Sequence, residues 1–94
     1  MEIGTIKHRG LLELFETGRS RRVRQDMIPR IQNVLTRLEL AADMESLNAP
    51  PGWRVHQLRG DRAGVWSISV SGNWRLTFIV ANGEILELDL EDYH

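Results

Sequence analysis

The chain changes its hydrophobic period once, at Asn48-Ala49-Pro50-Pro51-Gly52, and that switch restricts it to an architecture with helices first and a sheet after. Before the break, Met27, Ile28, Ile31, Val34, Leu35 and Leu38 recur three and four residues apart, which predicts a helix with one apolar face. The spacing starts this helix near Asp26, with Asp26 capping the free N–H groups and Pro29 in the first turn, where its missing N–H costs nothing. A shorter apolar cluster, Leu11, Leu12, Leu14 and Phe15, predicts an earlier helix stopped by Gly18. Ile3-Gly4-Thr5-Ile6 reads as a short first strand.

From Trp53 onward the period is two. Trp66, Ile68 and Val70 alternate with Ser67, Ser69 and Ser71, and Trp74, Leu76, Phe78 and Val80 alternate with Arg75, Thr77 and Ile79. Leu86, Leu88 and Leu90 alternate with Glu87, Asp89 and Glu91. The punctuating segments Arg59 to Gly64, Ser71-Gly72-Asn73 and Ala81-Asn82-Gly83 carry hairpin chemistry. The expectation is therefore an α+β fold, a four- to five-stranded antiparallel sheet with two or three helices packed on one face. The other face, bearing Ser67, Ser69, Ser71, Arg75 and Thr77, is expected to be open and polar.

Ninety-four residues suffice for a single domain, expected to span 1–94. With no cysteine, the sequence offers no disulfide framework, thiolate metal site or cysteine nucleophile. No apolar run approaches the roughly 18 residues that span a bilayer, and the first residues lack a basic-then-apolar signal pattern, so a cytoplasmic protein without membrane contact is expected. The net charge of −1 hides an asymmetry: residues 1–38 hold eight Lys/Arg against four acids, and residues 39–94 hold four against nine. A basic half can attract phosphate backbones, and an acidic half can supply proton-transfer groups or meet a basic partner; both halves can also be solvated faces of opposite sign.

His8, His56 and His94 stand far apart and form no metal-ligand spacing, and no glycine-rich phosphate loop or nucleophile elbow is present, so no cofactor is expected. The remaining set, His56, Arg59, Arg75, Asp92, Tyr93 and His94, contains the types that metal-free cleavage of an RNA phosphodiester requires. That reaction needs a base for the ribose 2′-hydroxyl, an acid for the leaving 5′-oxygen and cations on the phosphate. Histidine ordinarily exchanges protons near neutrality, and arginine is a permanent phosphate fork. Each residue also has an ordinary structural use: His56 as a packed ring beside Leu58, Arg59 as a solvated hairpin residue, the last four residues as a frayed end. Strict alternation along the last strand sends Asp92 and His94 to the helical side, so a site on the polar face requires the strand to end or twist near Glu91.

Trp53 to Ile68 with its Leu58-Arg59-Gly60-Asp61-Arg62-Ala63-Gly64 core, the strand Asn73-Trp74-Arg75-Leu76-Thr77-Phe78, and the closing Asp92-Tyr93-His94 together resemble the HigB toxins of the RelE/ParE superfamily. The opening Ile6-Lys7-His8-Arg9-Gly10-Leu11, with Leu14-Phe15-Glu16, is similar to the start of the same family, so the likeness runs over nearly the whole chain. The resemblance implies a microbial-RNase-like fold and ribosome-dependent cleavage of mRNA in the A site of the 70S ribosome, inhibiting translation. It implies neutralisation by a HigA-like helix-turn-helix antitoxin, through which alone operator DNA is reached. Carried over by position, His56, Arg59, Asp92, Tyr93 and His94 fall on catalytic positions, with Asn73 and Arg75 bordering the site. Arg59 stands where a family member has lysine; since arginine does not trade protons near neutrality, a phosphate-clamping role is expected. Arg21, Arg22 and Arg24, with Arg30 and Arg37, are expected to grip ribosomal RNA. The competing expectations are a ParE-like gyrase poison, which needs no acid/base set, and a decayed toxin acting only as an antitoxin partner.

Overall fold

The computed structural model describes residues 1–92. Its elements run β1 (Glu2–Ile3), α1 (Arg9–Thr17), α2 (Ile28–Leu40), β2 (His56–Gln57), β3 (Trp66–Ser71), β4 (Trp74–Ala81) and β5 (Glu84–Asp92). The five strands form one sheet in the order β1-β5-β4-β3-β2. The β2–β3, β3–β4 and β4–β5 pairings are antiparallel, but β1 lies parallel to β5, so the sheet is mixed at one edge. The hairpin signals set the direction of the last four strands; β1 has no hairpin partner, so nothing local in the sequence fixes its direction.

Helix α1 is held at both ends. His8 Nδ1 accepts from the Leu11 amide at 3.2 Å, and Gly18, left-handed at φ 80°, closes the C-terminus with its N–H on Leu14 O at 2.8 Å. Leu11 and Leu14 enter the core, while Leu12 and Phe15 stay partly exposed. Helix α2 begins at Ile28, after a 3-10 turn over Gln25–Met27, with Pro29 in its first turn. The expected Asp26 cap does not form. Asp26 instead takes both arms of Arg24, at 3.1 and 2.6 Å, and a paired carboxylate is drawn away from the helix amides.

Met27, Ile31, Val34, Leu35 and Leu38 are buried against Ile68, Val70, Leu76, Phe78, Ile85, Leu88 and Leu90 of the sheet. Each such side chain withdrawn from water contributes about 1.5–3 kcal/mol before conformational entropy is set against it. The simple alternation expected for β5 fails at Glu87. A bulge there, with Glu87 at φ 53°, shifts the register between Thr77↔Asp89 and Ile79↔Leu86. Ile85 therefore takes the core position expected of Leu86, and Leu88 and Leu90 keep theirs.

Gly10 explains how α1 meets the basic segment. A Cβ at this position would lie 2.9 Å from Arg22 Cβ, Val23 Cγ2 and His8 Cε1. Gly10→Ala is expected to destabilise the fold by about 1–3 kcal/mol, because overpacking outweighs the ~1 kcal/mol that alanine gains in helix propensity. Thermal unfolding checks this: a melting temperature lowered by several degrees is expected, and an unchanged or higher one would refute the close-packing account.

Candidate active site

Cross-strand partners share a sheet face, so the register identifies the face opposite the helices. One row runs His56↔Ser67↔Thr77↔Asp89 and the next runs Ser69↔Arg75↔Glu91. His56 and Arg75 therefore stand on the same side of the sheet, one strand removed and one row apart. This face is not the open surface expected: Ser67 is 1% and Thr77 2% exposed. The segment between β2 and β3 carries a 3-10 turn, Gly60–Arg62, whose Arg62 reaches Glu91 on β5. A hollow lined by Lys7, Arg62, Val65, Thr77, Asp89 and Glu91 opens on the same side.

His56 is exposed, and its Nδ1–H donates to Arg54 O at 2.7 Å. A carbonyl only accepts, so the contact assigns a proton to Nδ1 and, in the tautomer with one ring proton, leaves Nε2 as the acceptor. Arg54 presents that carbonyl from the left-handed conformation, φ 48° and ψ 50°, which a non-glycine residue adopts at a cost of order 1 kcal/mol. Arg59 immediately precedes the Gly60–Arg62 turn and is exposed. Asn73 is exposed in the β3–β4 turn beside Arg75. Arg30 Nη1 donates to Ser69 O at 3.3 Å, and with Arg54 it borders a hollow formed by Ser69 to Gly72. The end of the sheet that holds Arg75 thus gathers several guanidinium groups.

Glu91 accepts from Arg62 Nη1 at 2.9 Å and Nη2 at 2.6 Å, and in a very short contact from the Thr77 hydroxyl. Arg62 first, then Thr77, hold its carboxyl below the ordinary glutamate value against the opposing effect of burial.

Asp92 is placed differently. Strand β5 continues through it without a reversal of parity after the bulge, pairing Asp92 with Trp74 on the helical side of the sheet. Its carboxylate contributes to raising the Arg24 guanidinium pKa, after the larger effects of Asp26. His56 and Arg75 thus share a face, Arg59 is on the loop that follows β2, and Asp92 stands on the helical side within electrostatic reach of Arg24. Tyr93 and His94 lie outside the described residues.

Of the basic segment, Arg22 pairs with Glu13 at 3.3 Å and Arg24 with Asp26. Arg21 makes no ion pair among the described residues. Arg37 lies over the Trp53 ring and donates to Asn48 O, which assigns it to tying α2 to the segment before β2. Sequence reasoning passed over Arg62, Thr77, Glu91 and Lys7. Arg62 and Glu91 were detectable only as the two ends of a contact 29 residues apart. Among the described residues no group of three or more acidic or histidine side chains could hold a metal ion, and no helix is long and apolar enough to cross a membrane.

A family model for the RelE-like toxin of the type II toxin-antitoxin system HigB matches residues 4–94. A Proteus vulgaris protein, Endoribonuclease HigB, is 41% identical over 92 residues, covering 98% of this chain and 99% of its own. Among solved structures, a mutant of YafQ from E. coli superposes with a TM-score of 0.61 at 13% identity, covering 97% of this chain and 93% of that one. A copper-bound mutant toxin from Helicobacter pylori gives 0.58 at 16%, covering 98% and 94%. At such low identity these two similarities establish the fold.

Proposed function

The chain belongs to the HigB-like toxin family, and from that premise we propose that it is a ribosome-dependent endoribonuclease that cuts mRNA in the A site and so inhibits translation. The observation that carries this reading is the polar face itself: an exposed imidazole, its Nδ1 committed to the Arg54 carbonyl, stands on the same side as Arg75 and on the strand that leads into the loop bearing Arg59. The 41% identity to an endoribonuclease over nearly the whole chain supports the same assignment.

His56 Nε2 takes the proton of the ribose 2′-hydroxyl, and the 2′-oxygen attacks the adjacent phosphorus. Arg59 and Arg75 hold the non-bridging oxygens as negative charge builds on them. The P–O5′ bond breaks, and the leaving oxygen takes a proton from the C-terminal His94. Asp92, expected on catalytic grounds, stands on the helical side of β5 and has no place on the polar face. The products are a 2′,3′-cyclic phosphate and a 5′-hydroxyl. Tyr93 stacks on or orients the substrate, and Asn73 borders it.

The ribosome supplies what a chain this small lacks, a grip that holds mRNA ready for in-line attack, worth several kcal/mol in orientation. Arg21, Arg22 and Arg24 engage ribosomal RNA. Their surface pairs with Glu13 and Asp26 are weak enough to exchange for phosphate. Neutralising Arg21 is expected to weaken ribosome binding most at low salt and to flatten the salt dependence, because each phosphate contact adds roughly one unit to that slope. A sedimentation titration that shows no change would remove the segment from the interface. The partner that silences the toxin is a HigA-like helix-turn-helix antitoxin, and operator DNA is met only through it. The family is defined within type II systems, which supports an antitoxin partner.

Purified ribosomes programmed with end-labelled mRNA test the reading. Cleavage on the ribosome and none on free mRNA is the expected result. Intact mRNA under both conditions would overturn it.

A further inference from the structure

Glu91 has no place among the acid, base and phosphate-binding groups, yet it is the most elaborately held carboxylate of the polar face. It receives both arms of one arginine and the hydroxyl of a buried threonine. The arginine belongs to the β2–β3 loop, the threonine to β4 and the carboxylate to β5, so three parts of the chain meet in one contact. We propose that Glu91 is a positioning residue: it fastens the Arg59–Arg62 loop across β4 to the end of β5 and so sets where Arg59 stands relative to the polar face.

The geometry supports fastening over simple charge pairing. A single exposed ion pair is worth little, but a bidentate guanidinium–carboxylate fork fixes orientation as well as distance. Arg62 closes the 3-10 turn that begins one residue after Arg59, so fixing its guanidinium leaves the backbone of Arg59 few alternatives. The loop's own support is slight: beyond the Leu58 N to Val65 O bond that closes its ends at 2.8 Å, the turn rests on Ala63 N to Gly60 O at 3.1 Å and Val65 N to Arg62 O at 3.0 Å. Gly60 and Gly64, at φ 68° and 91°, give the loop conformations that glycine explores freely, so it has little rigidity of its own. At the other end, Glu91 is the cross-strand partner of Arg75, so the same contact registers the loop against the row that carries Arg75.

This inference rests on the nuclease reading above, and two measurements separate them. Glu91→Gln keeps an acceptor for Thr77 and removes the charge that holds Arg62. Amide hydrogen exchange at Ala63 and Val65 is expected to rise about tenfold, because a loop freed of its anchor opens more often. The single-turnover cleavage rate on saturating ribosomes is expected to fall about 10- to 100-fold, the cost of misplacing a group by about an ångström, while half-saturation stays within about twofold. Arg62→Ala is expected to act alike, and the double variant to be no worse than the weaker single one. Unchanged exchange in Glu91→Gln overturns the proposal, as does raised exchange with an unaltered cleavage rate. A raised half-saturation in Arg62→Ala alone also overturns it, since Arg62 would then be an RNA ligand. If the unmodified protein cuts nothing, the nuclease reading fails, and the exchange measurement still decides whether the loop is fastened.

Discussion

His56→Ala is expected to lower single-turnover cleavage of ribosome-bound mRNA by about 10²–10⁴-fold, the usual contribution of a positioned general base. The fold should survive the change. His56 is exposed on a two-residue strand, and among the described residues its side chain makes one hydrogen bond, to the carbonyl of Arg54. Its backbone pairing with Ser67 is unaffected by truncation at Cβ. Melting temperature therefore stays within a few degrees of the parent while activity collapses, and the separation of the two effects is diagnostic. A rate unaltered in His56→Ala would assign the base elsewhere and reduce the Arg54 contact to loop geometry.

The second large effect concerns Arg59. Arg59→Ala is expected to cost about 10²–10³ in cleavage rate, the loss of one preorganised donor to the developing phosphorane charge. Arg59→Lys should recover part of this, since an ammonium supplies charge without the fork that matches two phosphate oxygens. Comparing the two substitutions distinguishes charge from proton transfer. If lysine exceeds arginine, with a rate that rises as the lysine deprotonates, the position is an acid/base site and the clamp account fails. If alanine cleaves at the parental rate, Arg59 is a solvated loop residue.

The parts of the fold encoded by local periodicity were legible in the sequence. The buried residues of α2 follow the three-and-four spacing, and Asn82-Gly83, both at positive φ, forms the tight turn its dipeptide predicts. Choices between competing partners, and features that depend on contacts distant in sequence, were not. Asp26 offers the same carboxylate to a helix end or to an arginine two residues away, and only the chain's path decides between them. The bulge at Glu87 leaves no mark in the run Leu86-Glu87-Leu88-Asp89, which is free of turn residues, so alternation placed Leu86 inside where Ile85 belongs. The direction of β1 is likewise set by packing on β5.

The candidate site divides the same way. Arg75 could be assigned to the polar face from strand parity, whereas His56 shares parity with Leu58 and read equally as a packed ring until its pairing with Ser67 set its face. The parity conflict at the C-terminus was also visible in advance: the strand does continue, and Asp92 stands level with Trp74 on the helical side. Glu91 was invisible as a site residue, since a glutamate on an alternating strand looks like ordinary solvated surface until Arg62 arrives from another element.

The central claim is that this polar face promotes attack by a ribose 2′-hydroxyl on its neighbouring phosphate. The most direct test is a matched pair of ribosome-bound mRNAs, one all-ribose and one with a single 2′-deoxy nucleotide on the 5′ side of the mapped cleavage position. The account predicts cleavage of the first, ending in a 2′,3′-cyclic phosphate and a 5′-hydroxyl, and no cleavage of the second at that position. Equal cutting of both messages would contradict it.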